Sequence, residues 1–355
     1  MKNKKWNLMV LGSTLFILVA IAGVTIYIDP FLHYHKPLDF LEYPLNDERY
    51  QSDGIARYYE YEAVITGTSM AQNFKTSEFE NLWGVKAIKV ATSGATFHEM
   101  NGQLRRVLTY NPEVKYVICS FDGNWLNYDA DYDQYDGIPE YMYDDNFFND
   151  VNYLLNKEVV PKTLAVLNYT RAGKVTTNMD DYVRWSDYMP YGKDAVLRSV
   201  VRVENEVQED GVRRNEIGGL EEEDCQRIRE NVTENFLKTV QMYPDTEFYL
   251  FFPPYSAYYW DVLAKQGNLG VQIEAEKLAT EIMLEAENVN LYSFANKTDI
   301  TFNVDNYTDS MHYGGWISSE IMQCMHNGEG KLTKDNYEDF FQDLVEIYRD
   351  CVLEY

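Results

Sequence analysis

Basic residues are scarce in this sequence, and their scarcity excludes one class of partner. The chain has 31 Lys and Arg against 57 Asp and Glu, a formal net charge of −26 over 355 residues. A surface this acidic repels the phosphate backbone of DNA and RNA. We therefore expect no nucleic-acid partner.

Cysteine and histidine are also few, which argues against a metal centre. The four cysteines contain no Cys-x-x-Cys pair, and the five histidines are scattered. Structural zinc sites need closely spaced Cys and His ligands, so we expect no metal and no cofactor. Cys119 lies in an apolar run and is predicted to be a buried free thiol. One or two disulfides among the cysteines remain open, the others being Cys225, Cys324 and Cys351.

Charge is absent from one long segment near the N-terminus. Residues 6–28 contain no Asp, Glu, Lys or Arg, and three lysines precede them. A bilayer core about 30 Å thick needs roughly 20 helical residues, so this run is long enough to span it. The positive-inside rule places the N-terminus in the cytoplasm and the rest outside. A cleaved signal peptide is the alternative, because Ala20-Ile21-Ala22 has the small-x-small form of a cleavage site.

The remainder reads as alternating strands and helices. Five short apolar runs predict strands, at residues 62–66, 86–91, 115–120, 247–252 and 289–294. Continuous apolar strands alternating with helices predict an α/β domain with a five-stranded parallel sheet covered on both faces. Residues 125–220 lack this rhythm and are predicted to be an inserted cap. The predicted organisation is a cytoplasmic N-terminus, membrane anchor and linker over residues 1–36, then one extracytoplasmic domain over residues 37–355.

Ser69 follows the first predicted strand and opens a helix, in the sequence Gly67-Thr68-Ser69. Free backbone N–H groups and the positive end of the helix dipole favour negative charge at such a position. Ser69 is therefore a candidate nucleophile. A serine that simply caps the helix would occupy the same place.

Asp309 and His312 follow the last predicted strand, in the sequence Asp309-Ser-Met-His312. An aspartate three residues before a histidine can bind ring Nδ1 and leave Nε2 to accept a proton from a serine. The spacing predicts a Ser69–His312–Asp309 triad. A surface histidine beside an acid is the alternative.

The order of these blocks resembles the SGNH, or GDSL-type, hydrolase superfamily. Gly67-Thr68-Ser69 stands where that family has Gly-Asp-Ser, Gly94 follows the second strand, Asn124 follows the third, and Asp309-x-x-His312 matches the last block. The resemblance implies a flavodoxin-like three-layer sandwich. It also implies an oxyanion hole of the Ser69 and Gly94 N–H groups with the Asn124 side chain. Asp122 is the alternative occupant of the third position.

Within the superfamily, the chain is similar to membrane-anchored bacterial proteins that modify surface polymers. That resemblance implies an esterase or O-acyltransferase acting on short acyl groups of a cell-surface glycan, working beside a multi-pass membrane O-acyltransferase. The alternative function is a catalytically silent binding or scaffold protein of the same kind of complex.

Two further patterns carry weaker hypotheses. Asp129, Asp131, Asp133 and Glu140 have an EF-hand-like spacing, but Gln134 replaces the usual glycine, so a solvated acidic turn is favoured. Aromatic residues after the fourth strand are candidates for stacking on sugar rings or for core packing, namely Tyr255, Tyr258, Tyr259 and Trp260.

Overall fold

The computed structural model describes residues 2–144, 146–207, 219–351 and 353. The chain divides into two compact units. We call Met1–Tyr59 with Tyr135–Asn178 the helical unit, and Glu60–Gln134 with Met179–Tyr355 the sheet unit. This division differs from the boundary predicted at residue 36, because residues 37–59 and 135–178 group with the N-terminal helix.

The helical unit contains four α-helices in its described part. They are α1 (Lys2–Ile28), α2 (Glu48–Tyr58), α6 (Val151–Leu154) and α7 (Val159–Arg171), numbered with those of the sheet unit in chain order. Residues Asn3–Ile28 of α1 are long and apolar enough to cross a membrane. The predicted apolar segment is therefore a single continuous helix.

The helices of the sheet unit lie between or after its strands. They are α3 (Ser69–Gln72), α4 (Thr76–Trp83), α5 (Phe97–Tyr110), α8 (Lys193–Val207), α9 (Glu222–Val232), α10 (Lys238–Met242), α11 (Ala257–Lys265), α12 (Leu269–Met283), α13 (Thr298–Thr301), α14 (Gly315–Asn327) and α15 (Tyr337–Arg349). Local sequence explains several of the ends. The Thr96 side chain accepts a bond from Glu99 N at the start of α5, and Gly328 ends α14 with φ +77°.

The sheet has six strands in the order β2-β1-β3-β4-β5-β6. They are β1 (Ala63–Gly67), β2 (Ala87–Ala91), β3 (Tyr116–Ser120), β4 (Glu247–Phe252), β5 (Val289–Ser293) and β6 (Lys331–Leu332). The first five pair in parallel, as their apolar runs predict, and β6 pairs antiparallel with β5. The prediction of a purely parallel five-stranded sheet is therefore wrong by one short edge strand.

The core of the sheet unit explains why its strands lack polar alternation. Every residue of β1 and β2 is buried, so side chains pack on both faces of the sheet. The region predicted as an inserted cap contains α6, α7 and α8 joined by long irregular segments, and it contributes to both units. Residues 145 and 208–218 of that predicted cap lie outside the described residues.

Candidate active site

The turn between β1 and α3 carries Ser69. Gly67 has φ +129°, and a Cβ there would lie 2.3 Å from Ser120 Oγ, so only glycine fits. Thr68 is the residue that caps α3, because its hydroxyl oxygen accepts a hydrogen bond from Met70 N at 3.2 Å. The capping role that the sequence left open for Ser69 thus belongs to Thr68, and the Ser69 side chain is available for another partner.

That partner is His312. Ser69 Oγ lies 2.8 Å from His312 Nε2, and His312 Nδ1 lies 2.8 Å from Asp309 Oδ2. Both ring nitrogens of the histidine are therefore within hydrogen-bond distance of the groups that the sequence predicts. Nδ1 donates to the carboxylate, which leaves Nε2 to accept the serine proton.

Asp309 is fixed by backbone as well as by the imidazole. Its Oδ1 accepts from Met311 N at 2.8 Å and from His312 N at 2.7 Å. Burial raises the pKa of Asp309. The hydrogen bond and charge of His312 lower it, as do the two backbone N–H groups that donate to the carboxylate. The lowering effects are larger, so the pKa of Asp309 lies below its ordinary value. The residue that orients His312 is therefore held as a carboxylate.

Four residues of the sheet unit form a buried polar cluster behind Ser69, and we call it the Asp122 cluster: Thr68, Ser120, Asp122 and Tyr255. Asp122 Oδ2 accepts from Ser120 Oγ at 2.7 Å and from Thr68 Oγ1 at 3.0 Å, and Oδ1 accepts from Tyr255 OH at 2.9 Å. Burial raises the pKa of Asp122, and the three hydroxyl donors oppose that rise. The cluster ties the turn before Ser69 to β3 and to the loop after β4.

The three predicted oxyanion donors all follow parallel strands at the same edge of the sheet. Ser69 follows β1, Gly94 follows β2 with φ +63°, and Asn124 follows β3. Tyr255 OH lies 2.9 Å from Asn124 Oδ1 as well as from Asp122, so its single proton is shared by two acceptors. Because Asn124 Oδ1 accepts from Tyr255, the Nδ2 end of the amide remains to donate a hydrogen bond to a substrate. Both oxygens of Asp122 already accept hydrogen bonds within the Asp122 cluster.

Trp185 is a neighbour of the triad that the sequence reasoning missed. Its ring lies edge-on to His312 with centroids 5.4 Å apart, and its Nε1 donates to Ser69 O at 3.2 Å. Asn73 Oδ1, next to α3, accepts from Trp185 N and Ser186 N. No periodicity marks residues 179–192, so only the three-dimensional contacts identify this wall of the site.

Lys89 is a fully buried lysine in β2 that binds backbone beside the nucleophile. Its Nζ donates to Gln72 O at 2.7 Å, Phe74 O at 3.0 Å and Asp180 O at 3.1 Å. Burial lowers the pKa of Lys89 to about 7, and the carboxylate of Asp180 opposes that shift. Lys89 therefore links the chain after α3 to the segment that carries Trp185.

The residues of the two weaker sequence hypotheses lie in different surroundings. Tyr255, Tyr258 and Trp260 are buried and belong to the core around α11. Asp133 contacts Thr96 and His98, and among the described residues no group of three or more His, Cys, Asp or Glu is arranged to hold a metal ion. Cys119 is a buried free thiol, and Cys225 and Cys324 are also free.

Ser69, His312 and Asp309 thus lie in one contact chain in the sheet unit. Ser69 follows β1 at the edge where open α/β sheets bind their ligands. No protein-family model matches this chain. No curated protein matches it at a significant level either.

Proposed function

We propose that this protein is a serine esterase or O-acyltransferase of the SGNH type. The observation that carries the proposal is the unbroken contact chain from Ser69 through His312 to Asp309. The order of the five parallel strands, β2-β1-β3-β4-β5, is that of flavodoxin-like sheets and supports the same family.

The reaction follows from this geometry in two steps. His312 Nε2 takes the Ser69 proton as Oγ attacks the ester carbonyl carbon, and the N–H groups of Ser69 and Gly94 with Asn124 Nδ2 stabilise the oxyanion. The alcohol then leaves with the proton from His312, and an acyl-serine remains. Water or a sugar hydroxyl, deprotonated by His312, attacks that acyl-serine and releases Ser69. Asp309 stabilises the imidazolium in both steps.

The proposed substrate is a short acyl ester on a cell-surface glycan. A membrane-spanning α1 with three lysines before it supports a cytoplasmic N-terminus and an extracellular catalytic domain close to the bilayer, where surface polymers pass. The acidic sheet unit disfavours docking on anionic lipid, which argues against long-chain lipid esters. A multi-pass membrane O-acyltransferase is the proposed partner.

Turnover of model esters tests this function. Full-length protein in detergent should cleave p-nitrophenyl acetate and lose activity with increasing acyl length. Ser69→Ala should abolish cleavage, while Ser319→Ala, which removes a serine hydroxyl on α14 that bonds only within its helix, should retain it. Preference for octanoyl or longer esters would contradict the short-acyl substrate.

Addition of an acceptor oligosaccharide separates the two reactions. An acyltransferase should produce acylated sugar at the expense of free acid, whereas an esterase should release only acid. If wild-type protein cleaves no ester and transfers no acyl group, the chain is better described as a silent scaffold protein.

A further inference from the structure

The junction between α1 and the rest of the helical unit is rigid. The Asp29 carboxylate, one residue after α1, accepts from His33 N at 2.9 Å, from Tyr34 N at 2.7 Å and from Tyr153 OH at 2.7 Å. Asp150 binds His33 Nε2 at 3.3 Å. These bonds join the end of α1 to the residues around α6, so α6 is fixed in relation to the membrane-spanning helix.

The helix that follows, α7, packs directly along α1. Between them runs an apolar groove of about 300 Å³. It is lined on the α1 side by Phe16, Ile17, Ala20, Ile21, Val24 and Thr25, and on the α7 side by Val160, Thr163 and Leu164. Those α1 residues belong to the segment that is apolar enough to cross a membrane. When α1 crosses a membrane, a helix packed against this part of it lies within the lipid layer.

The exposed side of α7 carries leucine side chains next to polar ones. Three residues of α7 are buried against the unit, while 55% of Leu164 and 40% of Leu167 are exposed, beside the exposed Asn168. Large apolar side chains exposed beside polar ones are typical of a helix at a membrane interface. No described part of this chain covers the exposed side of Leu164.

The segment before α6 also exposes large apolar side chains. Phe148 is 93% exposed and Phe147 is 65% exposed. A soluble protein surface rarely carries a contiguous apolar patch of large side chains without a partner. We call these residues, with those of the α6–α7 segment, the apolar collar: Phe147, Phe148, Val151, Leu155, Leu164 and Leu167.

The charge near the collar changes along the chain. Acidic residues flank Phe147 and Phe148, whereas residues 151–178, which hold the rest of the collar, carry four Lys and Arg against one Glu, a net of +3 in a chain of net −26. Basic residues beside exposed apolar ones are typical of helices that lie in the headgroup region of a bilayer. The charge of the α6–α7 part of the collar thus matches the phosphate layer above lipid tails.

We propose that the apolar collar is immersed in the membrane leaflet at the C-terminal end of α1, and that lipid acyl chains fill the groove between α1 and α7. The helical unit is then a membrane-embedded base rather than a flexible tether. This inference goes beyond the proposed function and does not depend on the catalytic assignment, because it involves no residue of the triad.

Lipid photolabelling of the full-length protein tests it. The protein is reconstituted in phosphatidylcholine vesicles that contain a lipid with a diazirine at the end of its acyl chain. After irradiation, labelled peptides are identified by mass spectrometry. We expect label in α1 and in residues 146–171. Label confined to α1 would overturn the proposal, and so would cross-linking of the collar to a second copy of the chain in place of lipid.

A double variant and a control variant sharpen this test. Phe148→Asp with Leu164→Asp should reduce label in residues 146–171 several-fold and leave label unchanged in residues 3–15 of α1, which do not line the groove. Both side chains are more than half exposed, so the change removes little core packing. Met242→Asp, at an exposed apolar position of the sheet unit, should change neither signal. Equal labelling of the collar in the double variant and in wild type would contradict immersion.

Discussion

Each unit holds a buried carboxylate surrounded by hydrogen-bond donors, but the donors differ in kind. Three hydroxyl groups surround Asp122, one from the neighbouring Ser120 and two from distant parts of the chain, at Thr68 and Tyr255. Asp29 instead accepts mainly from the backbone of residues 33–35, just beyond it in sequence, and from one distant hydroxyl. The Asp122 cluster fixes the relative positions of several strand ends. The bonds of Asp29 fix the turn at the end of α1 and join it to α6.

The two units also differ in the kind of side chain that they present. The sheet unit places polar, chemically active side chains at one edge of its sheet, whereas the helical unit exposes large apolar side chains beside basic ones. The rate of a catalysed reaction depends on the exact placement of a few polar groups, whereas binding to lipid depends on the apolar area that is exposed. Changes in the two units should therefore affect different measurements.

Loss of the base should have the largest effect. We expect His312→Ala to reduce turnover of a short ester by about 10⁶-fold, because nucleophile and base act as a unit. His326→Ala, a histidine on α14 that packs against Trp83, is the matched control and should retain turnover. Near wild-type turnover in His312→Ala would show that another group deprotonates Ser69.

Loss of the orienting acid should have the next largest effect. Asp309→Asn keeps the side-chain volume but favours the wrong imidazole tautomer, so we expect turnover to fall by about 10⁴-fold. Because the pKa of Asp309 is lowered, its carboxylate charge should persist to a pH below the ordinary range for aspartate. If Asp309→Asn lost as much turnover as His312→Ala, Asp309 would also stabilise the loop that carries His312. Unfolding measurements would then detect a lower stability of the variant.

The two carboxylates compared above should separate stability from catalysis. Asp122→Ala and Asp29→Ala each strand several donors, so each should lower the free energy of unfolding by about 2–3 kcal/mol. Only Asp122→Ala should also lower turnover, by about 100-fold, because it frees the turn that carries Ser69. If both variants lost turnover equally, the distinction between the clusters would be wrong.

A single hydroxyl in the Asp122 cluster should have a smaller effect. Tyr255→Phe removes the donor shared by Asp122 and Asn124, so we expect about a tenfold loss of turnover, equivalent to one hydrogen bond of about 1.4 kcal/mol. Tyr259→Phe removes a hydroxyl from the neighbouring ring, 4.6 Å from Tyr255 between centroids, and should have little effect. Equal effects of the two variants would argue against a role for Tyr255 in orienting Asn124.

Lys89 should contribute a pH-dependent part of the stability. Its folded pKa of about 7 lies below the ordinary lysine value, so between these limits the unfolded chain binds a proton that the folded chain has released. The contribution of Lys89 to the free energy of unfolding should therefore rise with pH above 7, by up to about 1.4 kcal/mol per pH unit. Lys89→Met should flatten that rise in urea unfolding, whereas Lys86→Met, at an exposed lysine, should not. The same slope in Lys89→Met and wild type would contradict this role.

The parts of the fold that could be predicted are those with local signals. The five parallel strands are continuous apolar runs, and each overlaps its predicted range. Ser69 could be singled out because it follows β1 at the edge that the ends of parallel strands share. Asp309 and His312 could be singled out by their spacing, although α13 lies between them and β5.

What escaped prediction depends on contacts between distant residues. The helix that Ser69 opens ends after one turn, and between α3 and α4 Lys89 Nζ donates to the carbonyl oxygens of Gln72 and Phe74. Strand β6 has only two residues, too few for a periodic signal. Trp185 lies in a segment without periodicity, and the grouping of residues 135–178 with α1 depends on the bonds around Asp29 and Asp150.

The most direct test of the central claim is the rate at which a fluorophosphonate labels Ser69 in the full-length protein, with the labelled residue mapped by mass spectrometry. The proposed function predicts rapid labelling of Ser69 alone in wild type, slow labelling in His312→Ala, and none in Ser69→Ala. Labelling of a different serine, or equal rates in wild type and His312→Ala, would contradict the claim that His312 activates Ser69.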